Sequence, residues 1–390
     1  MILYIHNRKE KDLKRRILYF LNIIALSINL TGCELENTTD KIENIVKQID
    51  LSNDEQTIEP DNVFFEENSH PLDESRVTYY YYDRLIGVEK ELYCILYNSL
   101  MAYNYQIHIP SHIDYDIVSR ILKYVVHDHP NIFWFHEYTM VEVDGEHYLY
   151  PDYLMTEEDI EHLNTQCDRY MGDMFSYVSK NNSEYEIAKQ VYEHILSTVE
   201  YRKDANDQNM LSAMLNQKAV CAGLSKLYQY VLQQYGIESC VVTGLTLEGT
   251  AHMWNLVKID GEYYYTDLTY GKVNSSEHTL NYGYFNTTTK AITEIYEFEA
   301  GQILENCTST KANYYSETGY IFHEIDEAKL YEILSKGLPA AIKCANKEIY
   351  EEMKDYLINQ KNIYNFLPNT QINYQTFDDY YTIEFFYQDG

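Results

Sequence analysis

The sequence predicts an α+β protein in which a helix that begins at a cysteine packs on an antiparallel sheet. Apolar residues recur at steps of three and four between Cys221 and Gly236, which is typical of a helix that ends at a glycine. Two extended runs flank the Asp260-Gly261 pair, which is typical of a β-hairpin with a two-residue turn. We expect a helical N-terminal region before this core and a small α/β C-terminal domain after it.

Composition limits the classes of function that the chain can have. The 390 residues include 61 Asp and Glu against 30 Lys and Arg, a net charge of −31, which argues against nucleic acid as a partner. This length favours two or three domains. The 42 tyrosines are interpreted as packing residues, although some of these rings could instead grip a polymer. The seven cysteines follow neither a disulfide framework nor zinc-ligand spacing.

Residues 1–33 are interpreted as a lipoprotein signal peptide. Six basic residues between positions 8 and 16 precede the apolar run 17–30, which is short for a membrane span. The run ends in Leu-Thr-Gly-Cys, which resembles a bacterial lipobox, and this resemblance implies a lipid on Cys33. A plain signal peptide or a short anchor is the alternative. The lipobox interpretation places the protein outside the cytoplasmic membrane on a lipid anchor.

Two segments separate the signal peptide from the cysteine region. Residues 34–76 are acidic, poor in apolar side chains and without periodicity, which predicts a flexible linker. Residues 77–178 predict an N-terminal α+β region with helices over 83–104 and 114–126 and a hairpin that turns at Asp144-Gly145. The first of these helices is expected to bury a stripe formed by Leu85, Val88, Leu92, Leu96 and Leu100.

A short histidine motif precedes the hairpin. His127 and His129 are two apart and could share a metal ion. A turn explains the same residues, because Pro130 is a typical helix breaker, and we favour the turn. No pattern links His136 or His147 to this motif.

The cysteine region has features of a nucleophilic site. A capping box at 183–186 begins a helix that runs to about Tyr201. Cys221 is expected in the first turn of the next helix, where the helix dipole favours a thiolate. Ala222 and Gly223 are small enough for a substrate backbone to approach. Taken alone, Cys221 would be interpreted first as a buried apolar residue, the commonest fate of a free cysteine.

The predicted hairpin brings a histidine and an aspartate together. With a two-residue turn at 260–261, Trp254 lies opposite Asp267 and His252 lies opposite Thr269. His252 and Asp267 are then diagonal neighbours on one face, within reach of a hydrogen bond. The carboxylate would hold one ring nitrogen and leave the other for the thiol.

Three short blocks together resemble the transglutaminase-like superfamily, whose fold is related to papain-type cysteine proteases. They are residues 220–223 (VCAG), 252–255 (HMWN) and 267–269 (DLT), and the resemblance covers about residues 183–290. It implies a nucleophile at Cys221, a general base and acid at His252, and an orienting carboxylate at Asp267. It also implies a thioester intermediate that passes to water or to an amine.

Other residues near these blocks have smaller expected roles. The Cys221 backbone N–H is a candidate oxyanion donor. The Gln217 side chain is a second candidate, although a solvated loop glutamine is the favoured interpretation. Trp254 is expected to wall or pack the site, and Cys240 lies in an apolar strand and is expected in the core. The chemistry requires no metal or organic cofactor, and calcium-loop spacing is absent.

The expected organisation ends with a catalytic domain at 179–300 and a small domain at 318–390. The small domain has predicted strands at 319–322, 339–344 and 380–387 and helices at 326–334 and 347–357, with no nucleophile–base pair.

The expected function is that of a cell-surface lipoprotein that cleaves peptide or amide bonds. Its expected substrate is a protein or peptide, and the cell wall is one place where such a substrate could be found. An amine-incorporating crosslinker and a non-catalytic surface binding protein that retains the fold are the alternatives. A substrate-binding lipoprotein of a transporter is disfavoured because no two-lobed βαβ repeat is visible.

Overall fold

The computed structural model describes residues 2–5, 79–203, 208–275, 280–368, 371–378 and 380–387. The predicted signal peptide, its lipidation site Cys33 and the linker 34–76 lie outside these residues, apart from the strand at 2–5. In the part of the chain that is described, no helix is both long and apolar enough to cross a membrane. The chain forms two compact units.

The secondary structure is mixed along the chain. The helices are α1 (Gly87–Met101), α2 (Tyr115–Asp128), α3 (Glu157–Tyr177), α4 (Glu184–Thr198), α5 (Cys221–Gln234), α6 (Leu268–Val273), α7 (Thr289–Ile292), α8 (Tyr314–Glu317), α9 (Glu327–Leu334), α10 (Lys347–Lys354) and α11 (Ile363–Phe366). The strands are β1 (Ile2–Ile5), β2 (Ile107–Ile109), β3 (Phe135–Val143), β4 (Glu146–Tyr153), β5 (Glu200–Tyr201), β6 (Lys218–Ala219), β7 (Ser239–Thr246), β8 (Ala251–Ile259), β9 (Glu262–Thr266), β10 (Tyr296–Phe298), β11 (Ile321–Phe322), β12 (Ala340–Cys344), β13 (Ile372–Phe377) and β14 (Thr382–Tyr387).

The first unit contains a four-stranded sheet with the order β1-β3-β4-β2. Strand β1 pairs parallel with β3, and β2 pairs antiparallel with β4. Asp144 and Gly145, between β3 and β4, both have positive φ, at 56° and 86°. This conformation suits a tight hairpin turn, so the predicted hairpin is confirmed.

The second unit is built around α5 and an antiparallel sheet with the order β10-β7-β8-β9. Helix α5 packs on β7, β8 and α4. It is more completely buried than its amphipathic pattern predicts, because two glutamines on its polar side are also buried. Gln229 donates to the carbonyls of His127 and Ser239, and Gln233 donates to the carbonyl of Asp128.

The register of the β8–β9 hairpin agrees with the prediction. Ile259 pairs with Glu262 and Asn255 pairs with Thr266, so the two loop residues are those expected. The predicted strand 262–268 is two residues too long, because β9 ends at Thr266. Asp267 instead caps α6, and its side chain accepts the backbone N–H of Tyr270.

The N-terminal helices differ from the prediction in three places. Helix α1 begins only at Gly87, so Leu85 is buried outside the helix, and Val88 is 50% exposed rather than part of the buried stripe. The predicted turn at 127–130 is wrong at its start, because α2 continues to Asp128. The 21-residue helix α3, capped by Thr156, was not predicted.

The end of α2 is fixed by a buried carboxylate. Asp128 accepts the backbone N–H groups of Tyr81 and Tyr82 and the hydroxyl of Tyr93. These bonds satisfy the fully buried carboxylate of Asp128, which lies between His127 and His129. They explain how this acidic residue can lie in the interior.

The C-terminal part contains a separate sheet with the order β11-β12-β14-β13. Its core joins residues of α9, α10 and the strands, including Leu330, Ile342, Met353 and Phe385. The predicted strands and helices of this part are confirmed within a few residues. Strand β13 was not predicted, because its central residues are polar or exposed and show little apolar alternation.

Candidate active site

Cys221 is the first residue of α5, and strand β6 leads directly into it. The N-cap residue Val220 makes no side-chain cap bond. The first N–H groups of a helix have no partner within the helix, so these donors remain for a ligand or for water. Cys221 is also partly exposed, unlike the fully buried Cys240. This residue is therefore not sealed in the core.

Two reciprocal hydrogen bonds hold α5 to β8. Asn255 Nδ2 donates to the Ser225 carbonyl at 2.9 Å, and Ser225 Oγ donates to the Met253 carbonyl at 3.0 Å. Ser225 is one helical turn after Cys221 and therefore shares its face. Met253 directly follows His252 in β8. These bonds set the position of the cysteine relative to the histidine.

His252 and Asp267 form a buried pair. His252 Nε2 lies 3.0 Å from Asp267 Oδ2, and the histidine is 9% exposed while the aspartate is completely buried. The carboxylate thus holds Nε2 and leaves Nδ1 for the thiol of Cys221. The hydrogen bond predicted from the hairpin register is confirmed.

The pair has shifted pKa values with identifiable causes. Burial lowers the pKa of His252, but the Asp267 carboxylate and the Cys221 thiol outweigh burial and raise that pKa from 6.5 to about 10. Burial raises the pKa of Asp267, but His252, Tyr296 and the Tyr270 N–H outweigh burial and lower it. At neutral pH the site therefore contains an imidazolium next to the Asp267 carboxylate and close to Cys221.

Tyr296 on β10 is a site residue that the sequence did not reveal. Its hydroxyl donates to Asp267 Oδ2 at 2.5 Å, and its ring lies 4.6 Å from the ring of His252. A lone tyrosine in a three-residue strand carries no motif among so many tyrosines, so no local signal marks it. Pairing of β10 with β7 brings it to the site.

The two minor candidates lie in different surroundings. Trp254 is fully buried, and its ring stacks on His252 at 5.8 Å and on Tyr296 at 4.9 Å, as expected of a residue that packs the site. Gln217 is exposed, and its backbone has the left-handed conformation, with φ 54°. Its backbone carbonyl accepts the Glu200 N–H. The oxyanion role of Gln217 stays a prediction.

The histidine motif does not form a metal centre in the described part of the chain. His127 and His129 are both buried, and the His129 ring packs against Tyr79 and Tyr97. Among the described residues, no group of three or more His, Cys, Asp or Glu side chains could hold a metal ion.

A cysteine at a helix start, packed on an antiparallel sheet that carries a histidine–aspartate pair, defines a papain-like and transglutaminase-like fold. Residues 174–268 match the transglutaminase-like superfamily. The chain therefore contains a transglutaminase-like domain, as the three sequence blocks indicated. The division of the chain into five segments stays a prediction.

Several solved structures are similar to this chain, and no curated protein matches it. A TGase structure is 16% identical with a TM-score of 0.27 over 45% of this chain and 53% of its own, so the chain spans about half of that protein. A candidate cysteine protease from Cytophaga hutchinsonii is 12% identical (TM-score 0.24), over 34% of this chain and 61% of its own. A candidate protease from Parabacteroides distasonis is 11% identical (TM-score 0.22), over 34% and 39%.

Proposed function

We propose that this protein is a cysteine-dependent acyl hydrolase that cleaves peptide or amide bonds through a thioester on Cys221. The observation that carries the proposal is the arrangement of a partly exposed thiol at a helix start next to a buried His252–Asp267 pair. A surface binding protein would gain nothing from a buried imidazole–carboxylate pair beside an accessible thiol.

In the first half of the proposed reaction, the Cys221 thiolate attacks the substrate carbonyl carbon and forms a tetrahedral oxyanion. First-turn N–H groups of α5 are placed to stabilise this charge. The His252 imidazolium then gives its proton to the leaving nitrogen. The C–N bond breaks, the amine leaves, and the acyl group remains on sulfur as a thioester.

In the second half, neutral His252 accepts a proton from water as the water oxygen attacks the thioester carbonyl. The C–S bond breaks, the carboxylic acid is released, and the thiolate–imidazolium pair is restored. Asp267 keeps the imidazole oriented through both steps and stabilises its charged form. An amine in place of water would give crosslinking by the same residues.

The proposed setting is the outer face of the cytoplasmic membrane, with the protein anchored through a lipid on Cys33 and acting on a protein or peptide, for which the cell wall is one source. The apolar run and the Leu-Thr-Gly-Cys motif support this. Labelled palmitate should enter the full-length protein in a bacterial host and not its Cys33→Ala variant. Equal labelling of both would contradict the anchor.

The activity is tested by incubating the protein with a casein digest or a peptide library and a labelled primary amine. We expect cleavage by the wild type and none by Cys221→Ala. The matched control is Cys94→Ala, since Cys94 is also a partly exposed cysteine. Amine incorporation without cleavage would replace hydrolysis by crosslinking. No turnover by the wild type with any peptide would contradict the enzymatic proposal.

A further inference from the structure

The Asp267 carboxylate has two donors on one oxygen. Oδ2 accepts His252 Nε2 at 3.0 Å and the Tyr296 hydroxyl at 2.5 Å. The other oxygen, Oδ1, accepts the Tyr270 backbone N–H at 3.1 Å. The orientation of the carboxylate is therefore set by three groups, of which only the phenol is a neutral side chain.

The Tyr296 ring also borders the imidazole. Its centroid lies 4.6 Å from that of His252 and 4.9 Å from that of Trp254. The residue is only 7% exposed, and it is held by the pairing of Tyr296 with Thr246 across β10 and β7. A phenol in a rigid, buried position loses little conformational freedom when it donates its hydrogen bond.

We propose that Tyr296 is a positioning residue of the catalytic site, which shares the Asp267 carboxylate with His252 and so sets the orientation and basicity of the imidazole. This rests on the proposed function of Cys221. The hydroxyl takes up part of the carboxylate's hydrogen-bonding capacity and disperses its charge. Without it, the full charge acts on the imidazolium.

The titratable groups that face Asp267 come from several elements. His252 reaches the carboxylate from β8, and Tyr296 reaches it from β10. Tyr192 on α4 is also close, because both burial and the Asp267 charge raise the pKa of Tyr192. Tyr270 and Tyr284 lie near Tyr296, and both contribute to its raised pKa after burial and Asp267. The Cys221 thiol acts on the pair through His252.

Loss of the Tyr296 hydroxyl should change two pH-dependent properties in a known direction. The hydroxyl helps to keep the pKa of Asp267 low despite burial, so its removal raises the pH at which the carboxylate protonates. The undispersed carboxylate charge also stabilises the imidazolium more strongly. In the variant, protonation of Asp267 and deprotonation of His252 should therefore both occur at higher pH.

The test compares wild type with Tyr296→Phe, which keeps the ring. The His252 imidazole is titrated by nitrogen NMR, and the rate of Cys221 alkylation by iodoacetamide is measured from pH 4 to pH 11. We expect the His252 midpoint to rise by about half a pH unit or more, and the step in the alkylation rate that accompanies loss of the imidazolium proton to move up with it. An unchanged or lowered midpoint would overturn the proposal.

A matched control separates positioning from simple loss of a buried hydroxyl. Tyr265→Phe removes a buried hydroxyl from the same sheet, one that donates to the Glu305 carbonyl at 3.0 Å. It should lower stability to a similar extent and leave the His252 midpoint in place. A similar displacement in both variants would show a general loosening of the sheet and overturn the proposal.

A second variant keeps the test decisive if the phenylalanine variant does not fold. Replacement of Tyr296 by 4-aminophenylalanine preserves the shape and supplies a weaker N–H donor, so the His252 midpoint should rise above that of wild type. A midpoint equal to wild type would contradict the positioning role. The NMR titration needs no turnover, so it is independent of whether the peptide-cleavage assay succeeds.

Discussion

Gly244 lies directly against the indole ring of Trp254, with no room for a side chain between them. A β-carbon at this position would stand 2.7 Å from Trp254 Cη2 and 2.1 Å from the Glu297 carbonyl oxygen. Gly244 also pairs with His252 across β7 and β8. The missing side chain lets the indole stack on His252 and lets β10 approach β7, so the site depends on a glycine outside its reactive residues.

Gly244→Ala is therefore expected to destabilise the fold by about 1–3 kcal/mol, because backbone and ring must both shift. Urea unfolding should measure this loss, together with reduced peptide cleavage. Gly172→Ala is the matched control, because Gly172 lies within α3 with open space around it. That change should be neutral or stabilise by up to about 1 kcal/mol. Equal stability of both variants would contradict the packing described for Gly244.

The bonds between α5 and β8 give a second prediction. Asn255→Ala removes the donor to the Ser225 carbonyl and should cost about 1–3 kcal/mol of unfolding free energy. It should also lower kcat, because Cys221 and His252 lose part of their fixed spacing. Ser225→Ala, which removes the reciprocal bond, should have a smaller effect in the same direction. Full activity in the double variant would show that the two bonds do not position the site.

Asp267→Asn should keep the shape of the site and remove its charge. Burial, which lowers the pKa of His252, would then be opposed only by Cys221, so the pKa of the imidazole should fall. We expect kcat for peptide cleavage to fall by about 10²–10⁴-fold. The alkaline limb of the plot of kcat against pH should move to lower pH. A loss below about threefold, measured on a folded variant, would be inconsistent with an orienting carboxylate.

The His252–Asp267 pair should also make stability depend on pH in a defined window. The His252 pKa is raised from 6.5 to about 10, so its contribution is fully present below pH 6.5 and is lost as pH rises through about 10. Tyrosines and lysines titrate in the same range, so the informative quantity is the difference between wild type and His252→Gln. Urea unfolding should show this difference shrinking between pH 7 and pH 10.5. If the difference in unfolding free energy between the two proteins instead grew with pH, the pairing of His252 with Asp267 would be contradicted.

The core of the site could be predicted from sequence because its geometry is local. The turn at Asp260-Gly261 sets the register of one hairpin, and this register alone brings His252 close to Asp267. The position of Cys221 follows from helical periodicity and the glycine stop at Gly236, whose φ is 80°.

Residues that reach the site through long-range pairing could not be predicted in this way. Tyr296 arrives on a three-residue strand 29 residues after Asp267, and nothing near it in the sequence distinguishes it from the other tyrosines. Val88 has the spacing of a core residue, but the helix begins at Gly87, and its first turn leaves Val88 exposed. Asp128 is polar and yet buried, because its partners Tyr81 and Tyr93 come from distant segments.

The central claim is that Cys221 is a nucleophile activated by His252. The most direct measurement is the rate of Cys221 alkylation by iodoacetamide at pH 6, resolved by mass spectrometry, in wild type and His252→Ala. We expect wild-type Cys221 to react at least about tenfold faster than in the variant, because a neighbouring imidazolium favours the reactive thiolate form of a cysteine. Equal rates in the two proteins would show that the thiol and the imidazole do not act together, and the proposed mechanism would be wrong.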